Sequence, residues 1–495
     1  MRVSLLAKPL PAADGDVLIV GSYADEKRLP EPLARLDRAL GGRLGEVLEA
    51  EKFQGKAGQL THLYADGRLA AKRVVVVGLG ARGQLTAEAI RRAAATGVRR
   101  ARDLGARVVS IEVLGDTLPL GQRARAVVGG ALLGTYGFDR YKREKPDKGV
   151  EELRLVESDT RRGRELKAAI HLGTTFAEAT AFARDLVNAP ANEVTPTYLA
   201  KTATQIAREG RLKLRVYDRA ECEKMGMGAF LGVAAGSEQP PKFIHLTYSP
   251  SGRARRKVAI VGKGVTFDSG GLDLKPADGM LRMKNDMAGA AAVLAVMRAL
   301  PSLRPPVEVH AIVAATENMV SGKAQRPGDI VRAMNGVTIE IGNTDAEGRL
   351  TLADALAYTV ARVKPTEIVD LATLTGACVV ALGSLCAGLL TTSQPLADRL
   401  RAAADLVGER VWQLPLIDEY KDGLKSDVAD INNVGPRGGG AINAAIFMRE
   451  FTGDVPWVHL DIAGPAFSDR DLPLGPKGAT GFGVRTLLAY LIELK

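Results

Sequence analysis

Cysteine is scarce, with three residues in 495: Cys222, Cys378 and Cys386. Three thiols in apolar stretches cannot build a disulfide framework, which excludes a small stapled scaffold and fits a reducing compartment. Histidine is nearly as scarce, at positions 62, 171, 245, 310 and 459, and no HExxH spacing occurs. The two-histidine zinc motif is therefore absent. Long apolar runs are missing as well. No stretch of about 18 uncharged apolar residues offers a membrane span. The N-terminal MRVSLLAKPLPAADGDVLIVG lacks a long apolar h-region and reads as strand, turn, strand. No internal repeat, low-complexity tract, helix-turn-helix, zinc finger or aromatic stacking platform is found. The expectation is a cytoplasmic protein with no membrane association.

The chain does hold enough apolar residues for a large core: 46% hydrophobic against 25% charged, over a length that predicts two to three domains. Its net charge of +10 is unevenly spread, with 31 Lys+Arg against 22 Asp+Glu in residues 1–170 and 36 against 35 in residues 171–495. The basic third includes Arg-Arg pairs at 91–92, 99–100 and 161–162. Such a surface is either simply solvated or suited to phosphate contacts, so an added DNA-binding or regulatory role is the alternative function carried forward.

Short β-branched runs alternate with helical stretches in the first third: 17–21, 73–80 and 107–115 as strands, 86–105 as a helix. The pattern predicts an α/β domain over 1–165. The charged segment 139–153 reads as an exposed edge or linker. A connecting helix is expected over 166–190, ending at NAPANEVTP (188–196), whose prolines break it. Residues 191–495 repeat strand, Gly/Asp-rich loop, helix. Expected strands are 257–262, 307–315, 337–342, 367–374 and 457–464, and their apolar runs suit a mixed central sheet covered by helices.

Chemistry concentrates after these strands. KGVTFDSGGLDLKP brings Lys263, Asp268 and Lys275; NTDAEGR brings Asp345, Glu347 and Arg349; between them Asp286 stands in the first turn of an Ala-rich helix, 284–300. Loops leaving the carboxyl ends of strands converge on one crevice in open α/β sheets. Four acids in one partly dry cleft require compensation. Two arrangements supply it: an ion-pair network with the nearby cations, or divalent metal. Acids shared between loops favour two ions, and oxygen ligation without His or Cys favours Mn²⁺ or Mg²⁺, with Zn²⁺ also compatible.

Two other patterns compete. Gly78, Gly80 and Gly83 are spaced as GxGxxG after a strand, with Asp103 twenty residues on, which is the dinucleotide fingerprint; the strand is not the first of its domain. IVGKG is not a P-loop, because no Ser/Thr follows its lysine in register.

The motifs VGKGVTFDSGGLDLKP, MKNDMAGAAAV, NTDAEGRL and LATLTGA, with RDLVNAPANEVTP, SDVADINNVG, GGAINAAIF, PWVHLDIAG and KGATGFGVR, closely resemble the cytosolic leucyl aminopeptidase family of two-metal exopeptidases. The resemblance covers the whole C-terminal region in order; the first third matches by general pattern. NAPAN departs where members more often carry a second proline. The resemblance implies that one metal is held by Asp268, Asp345 (side chain and carbonyl) and Glu347, and the second by Lys263, Asp268, Asp286 and Glu347. It further implies Lys275 as oxyanion stabiliser, Arg349 as holder of a proton-shuttling bicarbonate, and Met283, Asn343, Thr373 and Leu374 around the first side chain. Met283 also suits plain core packing. The implied partners are short peptides with N-terminal leucine, and the implied assembly is a homohexamer, a dimer of trimers.

Overall fold

The computed structural model describes residues 1–26, 29–144 and 149–494. The chain forms two compact units, Met1–Ala181 with Arg470–Lys477, and Phe182–Asp469 with the C-terminal remainder. The division falls inside the long helix Gly163–Asn188.

The N-terminal unit holds a six-stranded sheet in the order Arg2–Leu6, Glu152–Val156, Val108–Glu112, Val17–Ser22, Arg73–Gly78, Leu60–Tyr64. All neighbours run parallel except the last pair. Val17, Ile19, Val75 and Val77 face a core completed by Ile90, Ala94 and Val98 of the helix Ala87–Asp103. On the opposite face Leu18, Val20, Val74 and Val76 meet Leu33, Leu36 and Leu44. Alternate residues of one strand thus serve both layers, which is why the runs read as continuously apolar. Glu152–Val156 sits within this sheet, although the charges before it point to a linker; positions 145–148 of that expected linker lie outside the described residues.

The second unit is built on an eight-stranded mixed sheet ordered Arg410–Gln413, Cys386–Thr391, Trp457–Asp461, Glu367–Ala372, Lys257–Asp268, Glu308–Asn318, Lys242–Tyr248, Lys213–Tyr217. Its centre is parallel. One expected strand is corrected: Thr338–Glu340, within 337–342, leaves this sheet and joins Ile330–Arg332 and Ile431–Asn432 in a small three-stranded one. Only Ile339 of its three residues is buried, so a single covered face suffices. The apolar stretch ending in the helix Ala288–Leu303 is core, packed on Lys257–Asp268. A Cβ on Gly289 would stand 2.0 Å from the Leu371 carbonyl, so glycine alone lets this helix start against the sheet. Every residue of the helix Glu347–Tyr358 is buried.

A candidate metal centre at the carboxyl edge of the sheet

Lys263 lies inside the strand Lys257–Asp268, not in a loop after residue 262 as its sequence surroundings indicate. By simple alternation Lys263 and Asp268 would face opposite sides of the sheet. Pairing with Glu308–Asn318 shifts register between Thr316 and Asn318, where Val265 and Asp268 are the partners. The extra residue turns Asp268 onto the face that carries Lys263. Gly270, at φ +90°, then reverses the chain, and its N–H donates to Asp268 Oδ1 at 2.9 Å.

Asp286 closes a short 3₁₀ turn, Met283–Asn285, two residues before the helix Ala288–Leu303 begins. Glu347 opens the helix Glu347–Tyr358, where the dipole favours a carboxylate. Oxygens of Asp268, Asp286 and Glu347, all buried, lie within 4.8 Å of one another. Lys263 Nζ donates to Asp286 Oδ1 at 2.7 Å and to the Thr373 carbonyl at 2.9 Å, and stands 2.8 Å from Glu347 Oε1. That last contact is an ion pair without hydrogen-bond alignment, and Glu347 Oε1 keeps no hydrogen-bond partner. Lys275 lies 2.8 Å from Asp268 Oδ2 and also pairs with Asp345.

Burial pulls both ammonium groups down, yet the surrounding acids outweigh it and leave Lys263 and Lys275 above the ordinary lysine value. Burial raises Asp286, Asp345 and Glu347 above the usual carboxylate range, with neighbouring acids adding to it. The acids repel, and two lysines do not fully offset them. Asp286 Oδ2 is buried with no partner at all. An oxygen-lined pocket with an orphaned carboxylate oxygen fits a hard divalent cation.

Arg349 is buried; Nη1 donates to the Asn433 carbonyl at 2.7 Å while Nε has no partner, and burial draws the guanidinium down to about 10 against the pull of Glu347 and Asp461. Ten of the eleven residues singled out from sequence line one cleft of about 520 Å³, including Met283, Thr373 and Leu374. Asn343 is the exception. Its side-chain oxygen accepts from Asp345 N–H at 2.7 Å and its carbonyl accepts from Asn433 at 2.7 Å, so it shapes the NTDAEGR turn beside the cleft.

Four supporting residues are not singled out by the sequence, although Asp273, Asn433 and Asp461 stand within its motifs. Asn318 donates to Asp268 Oδ1 at 2.9 Å. Asp273 accepts from Thr344 N–H at 2.7 Å, tying the two acidic loops together. Asn433 braces Gly342 and Asn343. Asp461 accepts from Leu374 N–H at 3.2 Å and Thr375 Oγ1 at 2.6 Å, setting the loop that presents Thr373. The first glycine of the fingerprint has a local cause: a Cβ on Gly78 would meet the Lys56 carbonyl at 2.0 Å, and after a short 3₁₀ turn, Arg82–Gln84, the next α-helix begins only at Ala87, capped by Thr86.

Residues 181–488 match the profile of the cytosol aminopeptidase family catalytic domain, and residues 19–145 that of its N-terminal domain. The chain is 46% identical over 495 residues to a "Probable cytosol aminopeptidase" of Trichormus variabilis, covering 100% of both chains. It is 48% identical over 504 residues to one of a Synechococcus species, covering 99% of this chain and 98% of that one. Among solved structures, a tomato leucine aminopeptidase mutant superposes with a TM-score of 0.89 at 39% identity, covering 100% of this chain and 97% of that one. The bottromycin maturation enzyme BotP in complex with Mn superposes with 0.86 at 38% identity, covering 97% and 99%. The acid-lined cleft, the paired lysines and both halves of the chain lead to one assignment: this protein belongs to the cytosol aminopeptidase family and is a peptidase.

Proposed function

We propose that the chain releases the N-terminal residue of short peptides, preferably leucine, at a pair of divalent cations. The observation carrying this reading is the orphaned, buried Asp286 Oδ2 within a cluster of three carboxylates. Asp268, Asp345 and Glu347 would hold one ion, and Lys263, Asp268, Asp286 and Glu347 the other, with Mn²⁺ as the fitting metal and Zn²⁺ or Mg²⁺ as alternatives. Lys263 joins such a set only after losing its proton, which neighbouring dications favour. When bound, the cations supply Lewis-acid polarisation and a lowered water pKa, and a bicarbonate beside Arg349 supplies a base.

The chain's own groups do the rest. Lys275 reaches the cleft with its ammonium charged and can donate to the scissile carbonyl oxygen as negative charge develops. Arg349 presents a planar fork, steadied by Asn433, to a planar oxyanion. Met283, Thr373 and Leu374 form the wall for the first side chain. Leu281, at 83% exposure, and Val380, at 90%, adjoin the cleft-lining Arg282 and Val379 in sequence; the homohexamer is proposed as the assembly.

The test is leucine release from dipeptides, before and after chelation and after separate return of Mn²⁺, Mg²⁺ and Zn²⁺. Activity should vanish on chelation and return best with Mn²⁺. Asp345→Asn and Glu347→Gln should abolish turnover with the melting transition retained. Full activity in chelator, or in either variant, would refute the reading.

A further inference from the structure

The three Arg-Arg pairs of the N-terminal unit do not share one environment. Arg91 and Arg92 both pair with Glu88; Arg161 pairs with Asp159 at 2.8 Å and Arg162 with Glu157 at 2.9 Å. Arg99 and Arg100 form no ion pair among the described residues. Both are half-buried. Arg99 Nη1 donates to the Leu472 carbonyl at 3.2 Å, a neutral acceptor. Arg100 Nη2 lies 3.5 Å from His62 Nδ1, the limit of a hydrogen bond, and Arg100 Nε is buried with no partner.

These groups line a recess of about 530 Å³ between the edge strand Leu60–Tyr64 and the helix Ala87–Asp103. The acids at its rim do not cancel them. Asp103 is turned toward Arg102, 3.4 Å away, and Glu51 and Asp103 are exposed. Asp471 and Asp103 act on the charge of Arg99 only at a distance, while Arg102 works against it. Desolvated guanidinium groups without a counter-charge are costly, and a planar fork is best satisfied by an oxyanion. His62 adds a donor. Arg100 occupies its Nδ1 side, which leaves the proton on Nε2, and burial followed by Arg100 holds the ring below its ordinary value, hence neutral at pH 7.

We propose that this recess is a binding site for a small oxyanion, a phosphate or carboxylate group held by Arg99, Arg100 and His62 Nε2–H. It is a second ligand site, in the N-terminal unit, and none of its residues belongs to the metal centre. A concave recess of this size admits a metabolite-sized anion.

Calorimetric titration of the full-length, metal-loaded protein with inorganic phosphate, and separately with citrate, tests it and tells the two sources apart. Saturable binding of at least one is expected, weakened about tenfold or more in Arg99→Gln and in Arg100→Gln. Arg100→Lys, which keeps the charge and loses the fork, should bind more weakly than the wild type. Leucine release should be unchanged in all three, which also reports that they fold. Binding equal in wild type and variants, or binding lost on chelation, would place the anion at the metal cleft and overturn the proposal. No heat with either anion overturns it too, as does retention of duplex DNA through Arg99 and Arg100 without uptake of either small anion.

Discussion

Gly348 leaves the space that Lys263 fills: a Cβ at position 348 would stand 2.6 Å from Lys263 Cε and 2.7 Å from its Nζ. The helix that delivers Glu347 and the strand that delivers Lys263 therefore meet at a glycine, and the lysine tip is pinned there by Asp286 and the Thr373 carbonyl.

Gly348→Ala tests that fit. The methyl group must push the ammonium off its partners, because the helix is buried along its whole length. Leucine release should fall by about a hundredfold, the scale of an ångström's misplacement in a catalytic site. Circular dichroism should report the fold intact. Wild-type rates in this variant would show that the position of Lys263 does not matter.

Asn318 tests the layer behind the acids. It donates to Asp268 Oδ1 at 2.9 Å and to the Thr344 carbonyl at 3.0 Å. Asn318→Asp replaces a donor with a like charge. The free Mn²⁺ concentration needed for half-maximal activity should rise about 10- to 100-fold, as for other residues that orient metal ligands. An unchanged Mn²⁺ midpoint would remove Asn318 from that role.

The chemical groups of the centre were legible in the sequence because they are local: VTFDSGGLDLK and NTDAEGR each carry several acids or cations within a few residues. The supports were not, because they act across the fold. Asn433 reaches Asn343 from 90 positions away, and Asp461 reaches Thr375 from 86. Asn343 is placed at the wall by the family resemblance alone; the structure adds that its side chain folds back on the Asp345 amide. Similarly, VTIEIG has the composition of a central strand, and what excludes it is the pairing of Thr338–Glu340 with Ile330–Arg332 and Ile431–Asn432. The bulge that aligns Asp268 with Lys263 is invisible in composition too.

A pH dependence of stability arises away from the centre. His245 Nε2 and His310 Nδ1 are 2.9 Å apart, and His245 Nδ1 is 3.0 Å from the Tyr358 hydroxyl. Burial, then the neighbouring His310, pulls His245 down to about 4. The unfolded ring, near 6.5, binds a proton that the folded ring refuses. Its stabilising contribution is complete above about pH 6.5 and is lost as pH falls toward about 4. Urea unfolding at pH 7.5 and pH 4.5 should differ by about 1–3 kcal/mol more in the wild type than in His245→Gln. Identical pH dependence in the two proteins would contradict this.

The most direct measurement is anomalous diffraction from crystals grown in Mn²⁺. The account predicts two peaks about 3.5–4 Å apart, with Asp268 and Glu347 contacting both and the Lys263 amine released from its ion pairs to contact one. A single peak, or none, with Lys263 still bridging Asp286 and Glu347, would contradict it.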